Sequence, residues 1–327
     1  MPAALDILER LAAEQEPATR APAKRMLIIV NPYATTVSDR LRNLVVYALR
    51  GRYEVEAVDT EGQGHATELS REAAHEGYDV VVAFGGDGTV NEAVNGLVGS
   101  DTPLSCLPGG ATNVYCRLLG IPPEIVDATE YMLRMADDWR PRRVDLARVN
   151  DRHFAFSSGV GLDASVVKRV DSRPGLKARL GEYYFTYAAI TTFTRRYLIR
   201  PPRIAVEVGG ETVEGVTAII QNGTPYTFFN RRPIEFAERT TLKSGTLAGV
   251  VLQRANPLDM PTVIWRTFSR RSRIAEHRQV HGFHAADSVR VRAIDGRTVR
   301  LQVDGDYIGE VTEATYGIVP GGLAVVS

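Results

Sequence analysis

Asp79-Val80-Val81-Val82-Ala83-Phe84-Gly85-Gly86-Asp87-Gly88-Thr89 is an apolar run that passes straight into a glycine-rich turn. A run with no polar face has nothing to show to water, so it reads as a strand buried on both sides, as in a parallel sheet. Thr89 to Leu97 behind the turn reads as a helix. The same unit recurs to either side. Upstream, Met26 to Val30 is a buried strand stopped by Asn31-Pro32, and a helix is expected over Ser38 to Leu49 with Ser38 as N-cap. Tyr53 to Val58 alternates as a second strand, and His65 to Gly77 reads as a helix ended by glycine. Downstream, Leu104 to Leu107 is a fourth strand, followed by Pro108-Gly109-Gly110 and another helix. Strand and helix alternating at this spacing imply an α/β domain of three layers, a parallel sheet with helices on its faces.

Beyond Arg140 the texture changes. Val144–Val149, Arg152–Ser157, Ile204–Val208, Thr212–Gln221, Thr246–Leu252, Ser288–Ala293 and Val299–Val303 read as short strands, many separated by Gly, Asn-Gly or Asp-Gly turns. They predict an antiparallel β-sandwich, interrupted by helical segments at Leu180–Tyr197 and Pro257–Arg273. The expected organisation is an N-terminal helix and linker over 1–25, an α/β domain over 26–143, and a β-sandwich over 144–319. Residues 320–327 are candidates to return to the first domain.

At 327 residues the chain is long enough for two domains. Lys plus Arg and Asp plus Glu are both 39, so the net charge is zero, which excludes a nucleic-acid binder working by basicity alone. The zero is an average. Residues 1–100 carry net −6, and residues 101–327 carry net +6. Such asymmetry points to an anionic partner for the second part. Cys106 and Cys116 lack metal-ligand spacing and read as free thiols of a reducing compartment. No apolar run reaches the roughly 18 residues of a membrane span. Leu5, Ile7, Leu8 and Leu11, interleaved with charges, form a short amphipathic helix rather than a secretory leader.

Three turns fall at the carboxyl edge of the parallel sheet, where α/β folds bind ligands. They are Asn31-Pro32-Tyr33-Ala34-Thr35, Gly85 to Glu92, and Pro108 to Asn113. Glycine lets backbone N–H groups approach a phosphate, and a helix N-terminus adds partial positive charge. Tight connection of strands accounts for any one of these turns equally well. The G-x-G-x-x-G fingerprint fails at Asn91, and the sequence holds no Gly-Lys pair for a Walker loop.

Phe84-Gly85-Gly86-Asp87-Gly88-Thr89-Val90-Asn91-Glu92 resembles the signature of the diacylglycerol kinase catalytic-domain family, which takes in soluble bacterial lipid kinases and sphingosine kinases. Asn31-Pro32, Thr60 followed by Gly64-His65-Ala66, the Pro108-x-Gly-x-x-Asn113 block and Phe156 to Ala164 resemble further blocks, in the family's order. The resemblance implies a two-domain kinase, with ATP between the domains and a lipid hydroxyl as acceptor. It implies nucleotide contacts from Asn31, Pro32, Tyr33, Ala34, Thr35, Thr60, Gly86, Asp87, Gly88, Thr89, Val90, Asn91 and Glu92, with Thr112 and Asn113 as further candidates. Asp304, in Val303-Asp304-Gly305-Asp306, matches the family's general base; by spacing alone, Asp-Gly between two strands is a hairpin turn.

The sequence departs from the family at carboxylates that surround a structural Mg²⁺. Their positions hold Val114, Ser244 and Ala248, poor ligands for a hard cation. Ser244 and Asp306 stand as the remaining candidate metal positions, and Mg²⁺ carried with ATP is a separate expectation. On the acceptor side, Asp163 is a candidate to orient a substrate hydroxyl. Tyr184 and Tyr187, in the aromatic segment, line either an acyl cavity or a core. Thr262–Val280 carries five Arg against Glu276, with Trp265 and Phe268 interleaved. It reads either as a solvated face or as an element for an anionic membrane surface. His277, His281 and His284 read as surface residues rather than a metal site. The expected protein is a cytoplasmic ATP-dependent lipid kinase, peripheral at the inner face of the membrane, with no nucleic-acid partner. The alternatives are an NAD kinase-like small-molecule kinase and a lipid- or nucleotide-binding pseudokinase; oligomeric state is not legible.

Overall fold

The computed structural model describes residues 23–161, 201–229, 232–237, 240–269 and 271–327. The N-terminal amphipathic helix, the aromatic segment Leu180–Tyr197, Asp163, Tyr184, Tyr187 and Arg270 lie outside these residues. The chain divides into two compact units. One runs to Val144 and regains Gly321–Ser327, and the other spans Asp145–Pro320.

The first unit is built on β1 (Lys24–Val30), β2 (Tyr53–Asp59), β3 (Val80–Gly85) and β4 (Leu104–Pro108). Their order is β2-β1-β3-β4, all parallel, with Ile28 beside Val82 and Ala83 beside Cys106. Val325 extends this sheet by pairing in parallel with Leu104. Every residue of β3 and β4 is buried, as their unbroken apolar runs require. Around the sheet lie α1 (Asp39–Arg50), α2 (His65–His75), α3 (Asp87–Leu97), α4 (Val114–Leu118) and α5 (Ile125–Met135). The Ser38 hydroxyl accepts from Leu41 N, so it caps α1 as expected. Past α2 the chain reverses at Gly77 (φ +73°), where Tyr78 N reaches back to Ala73 O and satisfies an orphan carbonyl. The helix expected from Thr89 starts two residues earlier, at Asp87, because Gly86 already serves as its N-cap.

The second unit comprises β5 (Arg142–Val149) from Asp145 on, β6 (Arg152–Phe154), β7 (Ser157–Val160), β8 (Ile204–Val208), β9 (Glu211–Gly215), β10 (Thr217–Gln221), the short β11 (Thr227–Phe229) and β12 (Arg232–Ile234), β13 (Leu247–Leu252), β14 (Val280–Ala286), β15 (Ser288–Ala293), β16 (Val299–Val303), β17 (Asp306–Val311) and the first part of β18 (Glu313–Val325). One sheet runs β9-β8-β15-β18, with β5 paired to β18 and β6 paired to β5. The other runs β14-β13-β10-β7-β16-β17. Val206, Val289, Val291 and Tyr316 from the first share a core with Val160, Ile220, Val251 and Leu301 from the second, which makes a β-sandwich.

Three expected elements are corrected by this packing. Thr212–Gln221 breaks at Val216, whose N–H goes to Leu252 O, so that β9 pairs in one sheet and β10 in the other. Arg152–Ser157 breaks at Ala155 and Phe156, whose N–H groups turn to a carboxylate instead of a neighbouring strand. Pro257–Arg273 is helical only over Met260–Phe268 (α6), followed by a short 3₁₀ turn at Ile274–Glu276. The basic segment is therefore a helix end, a turn and a strand start rather than one amphipathic helix.

Candidate functional site

The turns after β1, β3 and β4 are tied together by main-chain bonds. Asn31 N donates to Phe84 O (2.9 Å), Gly109 N to Gly85 O (2.9 Å) and Thr36 N to Gly109 O (3.1 Å). The approach is too close for side chains. A Cβ on Gly110 would lie 2.8 Å from Gly86 Cα, and one on Gly85 would lie 2.5 Å from Thr89 Oγ1. Glycine is required here by close approach, to backbone at Gly110 and to the Thr89 side chain at Gly85, rather than for positive φ; Gly86 itself is extended. As N-cap, Gly86 supplies no side-chain acceptor to the first N–H groups of α3. This edge thus offers unspent backbone donors at the positive end of a helix, the chemistry that receives a phosphate.

The predicted nucleotide residues fall into two groups. Asn31, Pro32, Tyr33, Ala34, Thr35, Thr60, Gly86, Gly88 and Thr112 keep at least part of their surface at solvent, as do Asp87 and Glu92. Asn31 bridges the turns, its Nδ2 donating to Thr89 Oγ1 (3.1 Å) and its Oδ1 accepting from Tyr33 N (3.0 Å). Asp87, Asn113 and Glu92 hold the edge in place. The Asp87 carboxylate accepts from Val114 N and Tyr115 N (3.0 Å each) and from Thr112 Oγ1 (3.3 Å), which caps the start of α4. Burial pushes its pKa up, against those donors, which pull it down. Asn113 (φ +47°) closes the turn through Gly110 N and Gly110 O, both at 2.8 Å. Glu92 accepts from Gly64 N (2.8 Å) and Ala66 N (3.2 Å), capping the start of α2 from α3. Thr89, Val90 and Asn91 are buried.

In the second unit, Asp304 (φ +47°) and Gly305 (φ +86°) form a two-residue hairpin turn between β16 and β17, with Val303 paired to Asp306. The turn aims the Asp304 side chain inward, where it is 3% exposed. Oδ2 accepts from Ala155 N (2.7 Å), and Oδ1 accepts from Phe156 N and Ser157 N (3.0 Å each). The other side of that segment is held by Asn222. Its Nδ2 donates to Ala155 O and Asp145 O (2.9 Å each), and its N donates to Phe156 O (2.9 Å). Asn222 carries an Asn-Gly turn signal in the sequence, and nothing in the pattern revealed that its amide joins three segments.

The residues at the implied structural magnesium positions do not suit a hard cation. Ser244 Oγ donates to Thr241 O (2.9 Å) and accepts from Thr241 N (2.6 Å). Gly245 N donates to Asp145 Oδ2 (2.7 Å), so the loop is closed by protein bonds. Ala248 and Val114 are buried and apolar. Asp306 lies at the start of β17, away in sequence from Ser244, and no group of three or more His, Cys, Asp or Glu set to hold a metal occurs among the described residues.

His277 is buried, which corrects its reading as a surface residue. Its Nδ1 accepts from Gln279 N (3.1 Å), so Nε2 carries the proton toward Thr262 Oγ1 (2.9 Å), and that hydroxyl donates to Asp259 O (2.7 Å). Cys106 and Cys116 are both free and buried. A hydrogen bond with Cys116, reinforced by burial, pushes the Cys106 thiol up. No helix among the described residues is long and apolar enough to cross a membrane.

The chain thus joins an α/β unit with a glycine-rich edge to a β-sandwich with a buried turn aspartate. Residues 25–149 match the family model of the diacylglycerol kinase catalytic domain. A diacylglycerol kinase of Bacillus subtilis is 27% identical over 293 residues, covering 88% of this chain and 91% of the relative. One of Staphylococcus saprophyticus is 25% identical over 292 residues, covering 88% and 90%. Two solved structures from Bacillus anthracis share the fold. One, described as a diacylglycerol kinase, has a TM-score of 0.68 at 21% identity, covering 94% of this chain and 98% of that one. The other has a TM-score of 0.74 at 24% identity, covering 95% and 97%. The resemblance read from the glycine blocks agrees with these matches: residues 25–149, which hold those blocks, are similar to the diacylglycerol kinase catalytic domain.

Proposed function

We propose that this protein is an ATP-dependent lipid kinase that transfers the γ-phosphate of ATP to a hydroxyl of a lipid such as diacylglycerol. The observation that carries the reading is the uncapped start of α3 at Gly86, set between the Gly85 and Gly110 turns in a diacylglycerol kinase catalytic domain. The ATP phosphates take the backbone N–H groups of that edge, with Asn31 and Thr89 fixing its shape. Asp87, Asn113 and Glu92 act as positioning residues. Mg²⁺ carried with ATP would supply neutralisation of phosphate charge, and the transfer is otherwise mostly positioning. The lipid oxygen attacks the γ-phosphorus, the bond to the β-phosphate oxygen breaks, ADP leaves, and the hydroxyl proton passes to a carboxylate. Asp304 is the proposed acceptor of that proton, and its backbone donors fix its position.

The same burial of Asp304 favours a second reading, a pseudokinase that binds nucleotide and lipid without transfer. One experiment separates them. The protein is given γ-labelled ATP with mixed lipids, and in parallel with NAD and sugar phosphates. Label in the lipid fraction is the expected result. Label in NAD or sugar refutes the lipid acceptor, and ATP binding without any transfer establishes the pseudokinase.

A further inference from the structure

α6 is apolar on two faces. Met260 and Val263 are buried with Ile219, Val250, Leu252 and Val280, which fixes the helix to the second unit. Pro261, Ile264, Trp265 and Phe268, spaced i, i+3, i+4 and i+7, lie on one turn-to-turn stripe, and all four are exposed. Ile264 is 47%, Trp265 59% and Phe268 47% exposed, and Leu258 just before the helix is 85% exposed. A surface helix of a globular protein puts polar residues on that side; a contiguous apolar stripe there marks an interaction surface.

The charge around the stripe selects its partner. Residues 254–280 hold six Arg against Asp259 and Glu276. Asp259 is buried and spent on Arg278, which leaves Glu276 as the acid at solvent. Arg254, Arg271 and Arg273 are exposed. Arg266 is held by its bond to Arg273 O (2.9 Å). Beside the stripe, a cavity of about 1030 Å³ is lined by Phe229, Phe236, Arg266, Phe268, Arg273 and Ile274. It mixes aromatic rings with guanidinium groups. Phe229 and Phe268 meet edge to face at 5.4 Å, joining the β11–β12 hairpin to the end of the helix.

We infer that the exposed face of α6 is a docking surface for a bilayer containing anionic phospholipid. Trp265 and its apolar neighbours enter the boundary between headgroups and acyl chains, and the arginines meet the phosphates. The inference extends the lipid kinase reading to the place where the substrate is met, and it is tested without nucleotide, so that either can fail alone.

The test is sedimentation of the full chain with vesicles of phosphatidylcholine, alone or with 30% phosphatidylglycerol. The expected result is binding to the anionic vesicles that weakens as salt rises. Arg271→Gln with Arg273→Gln should lower the partition coefficient about 30-fold. Ile264→Ser with Trp265→Ser should lower it about 10-fold while leaving the thermal midpoint in place, since both side chains are already exposed. In a Trp139→Phe background, brominated acyl chains should quench Trp265 emission. Binding insensitive to salt and to both double variants overturns the inference, as does binding without quenching. A mass that doubles with concentration, reverts in the Ile264/Trp265 variant and comes without vesicle binding would assign the stripe to a second copy.

Discussion

Replacing Asp304 by Asn changes one atom at the point where the β16–β17 turn meets the 155–157 segment. Asn accepts the left-handed backbone of residue 304 (φ +47°) readily, so the turn itself is undisturbed. The side chain is not. The amide oxygen can keep the pair of bonds from Phe156 N and Ser157 N, but its nitrogen then faces Ala155 N, donor against donor. The lost charge-assisted bond is worth about 1.5–3 kcal/mol, and the stranded buried donor costs about 1–3 kcal/mol more. A total near 3 kcal/mol is expected, which at a slope of roughly 3 kcal/mol per molar urea lowers the denaturation midpoint by about 1 M. The assay is urea unfolding followed by circular dichroism, with lipid phosphorylation measured well below the variant's own midpoint. A midpoint within about 0.3 M of the parent, roughly a third of that energy or less, would refute the structural account of the carboxylate. Full phosphorylation by a folded Asp304→Asn protein would refute the role of base proposed for it.

Gly110→Ala forces a Cβ to 2.8 Å from Gly86 Cα, so it should cost about 1–3 kcal/mol and weaken ATP binding in titration calorimetry; unchanged affinity would detach these turns from the nucleotide. Glu92→Ala strips the acceptor from Gly64 N and Ala66 N and should cost about 1–2 kcal/mol, read as a lower thermal midpoint. Burial, and then the charge of Arg266, holds the His277 pKa below its ordinary 6.5. The unfolded chain therefore takes up this proton first, and stability falls as pH drops below about 6.5. Thermal midpoints at pH 7.5 and 5.5 should differ less in His277→Gln than in the parent. Because the loop at Ser244 is closed by protein bonds, EDTA should leave the thermal midpoint of the nucleotide-free protein unchanged. A fall of several degrees would place a bound cation there.

The elements of the first unit were legible because each announces itself locally. Val80 to Phe84 is apolar at every position, Ser38 caps, and Gly77 reverses the chain. The second unit was less legible wherever the strand pattern is overruled from far away. Val216 leaves its strand for Leu252 O, and Ala155 and Phe156 leave theirs for Asp304, nearly 150 positions on. Alternation of side chains carries no trace of either event. At the glycine edge the residue types were readable but their division of labour was not. Asp87 and Glu92 look like ligand contacts in the sequence, and both cap helices in the fold, since nothing in Gly-Gly-Asp-Gly tells where the next helix begins. The helix expected over Pro257–Arg273 is shorter in the fold, Met260–Phe268, because Ser269 takes an extended conformation and ends it.

The strand Glu313–Val325 begins in the second unit and finishes in the first. Leu323, Val325 and Val326 are buried, Val326 N donates to Leu104 O (3.0 Å), and Arg142 bonds the Ser327 hydroxyl across 185 positions of sequence. The first unit is therefore opened by its first strands and closed only after the whole sandwich has been made. On the ribosome, its sheet waits with the Leu104 edge unpaired while some 180 residues emerge, and the two halves of its fold are kept apart by another unit's synthesis. A fragment cut at Val144 would keep every glycine turn and still expose a bare parallel edge, the kind that recruits strands from other chains.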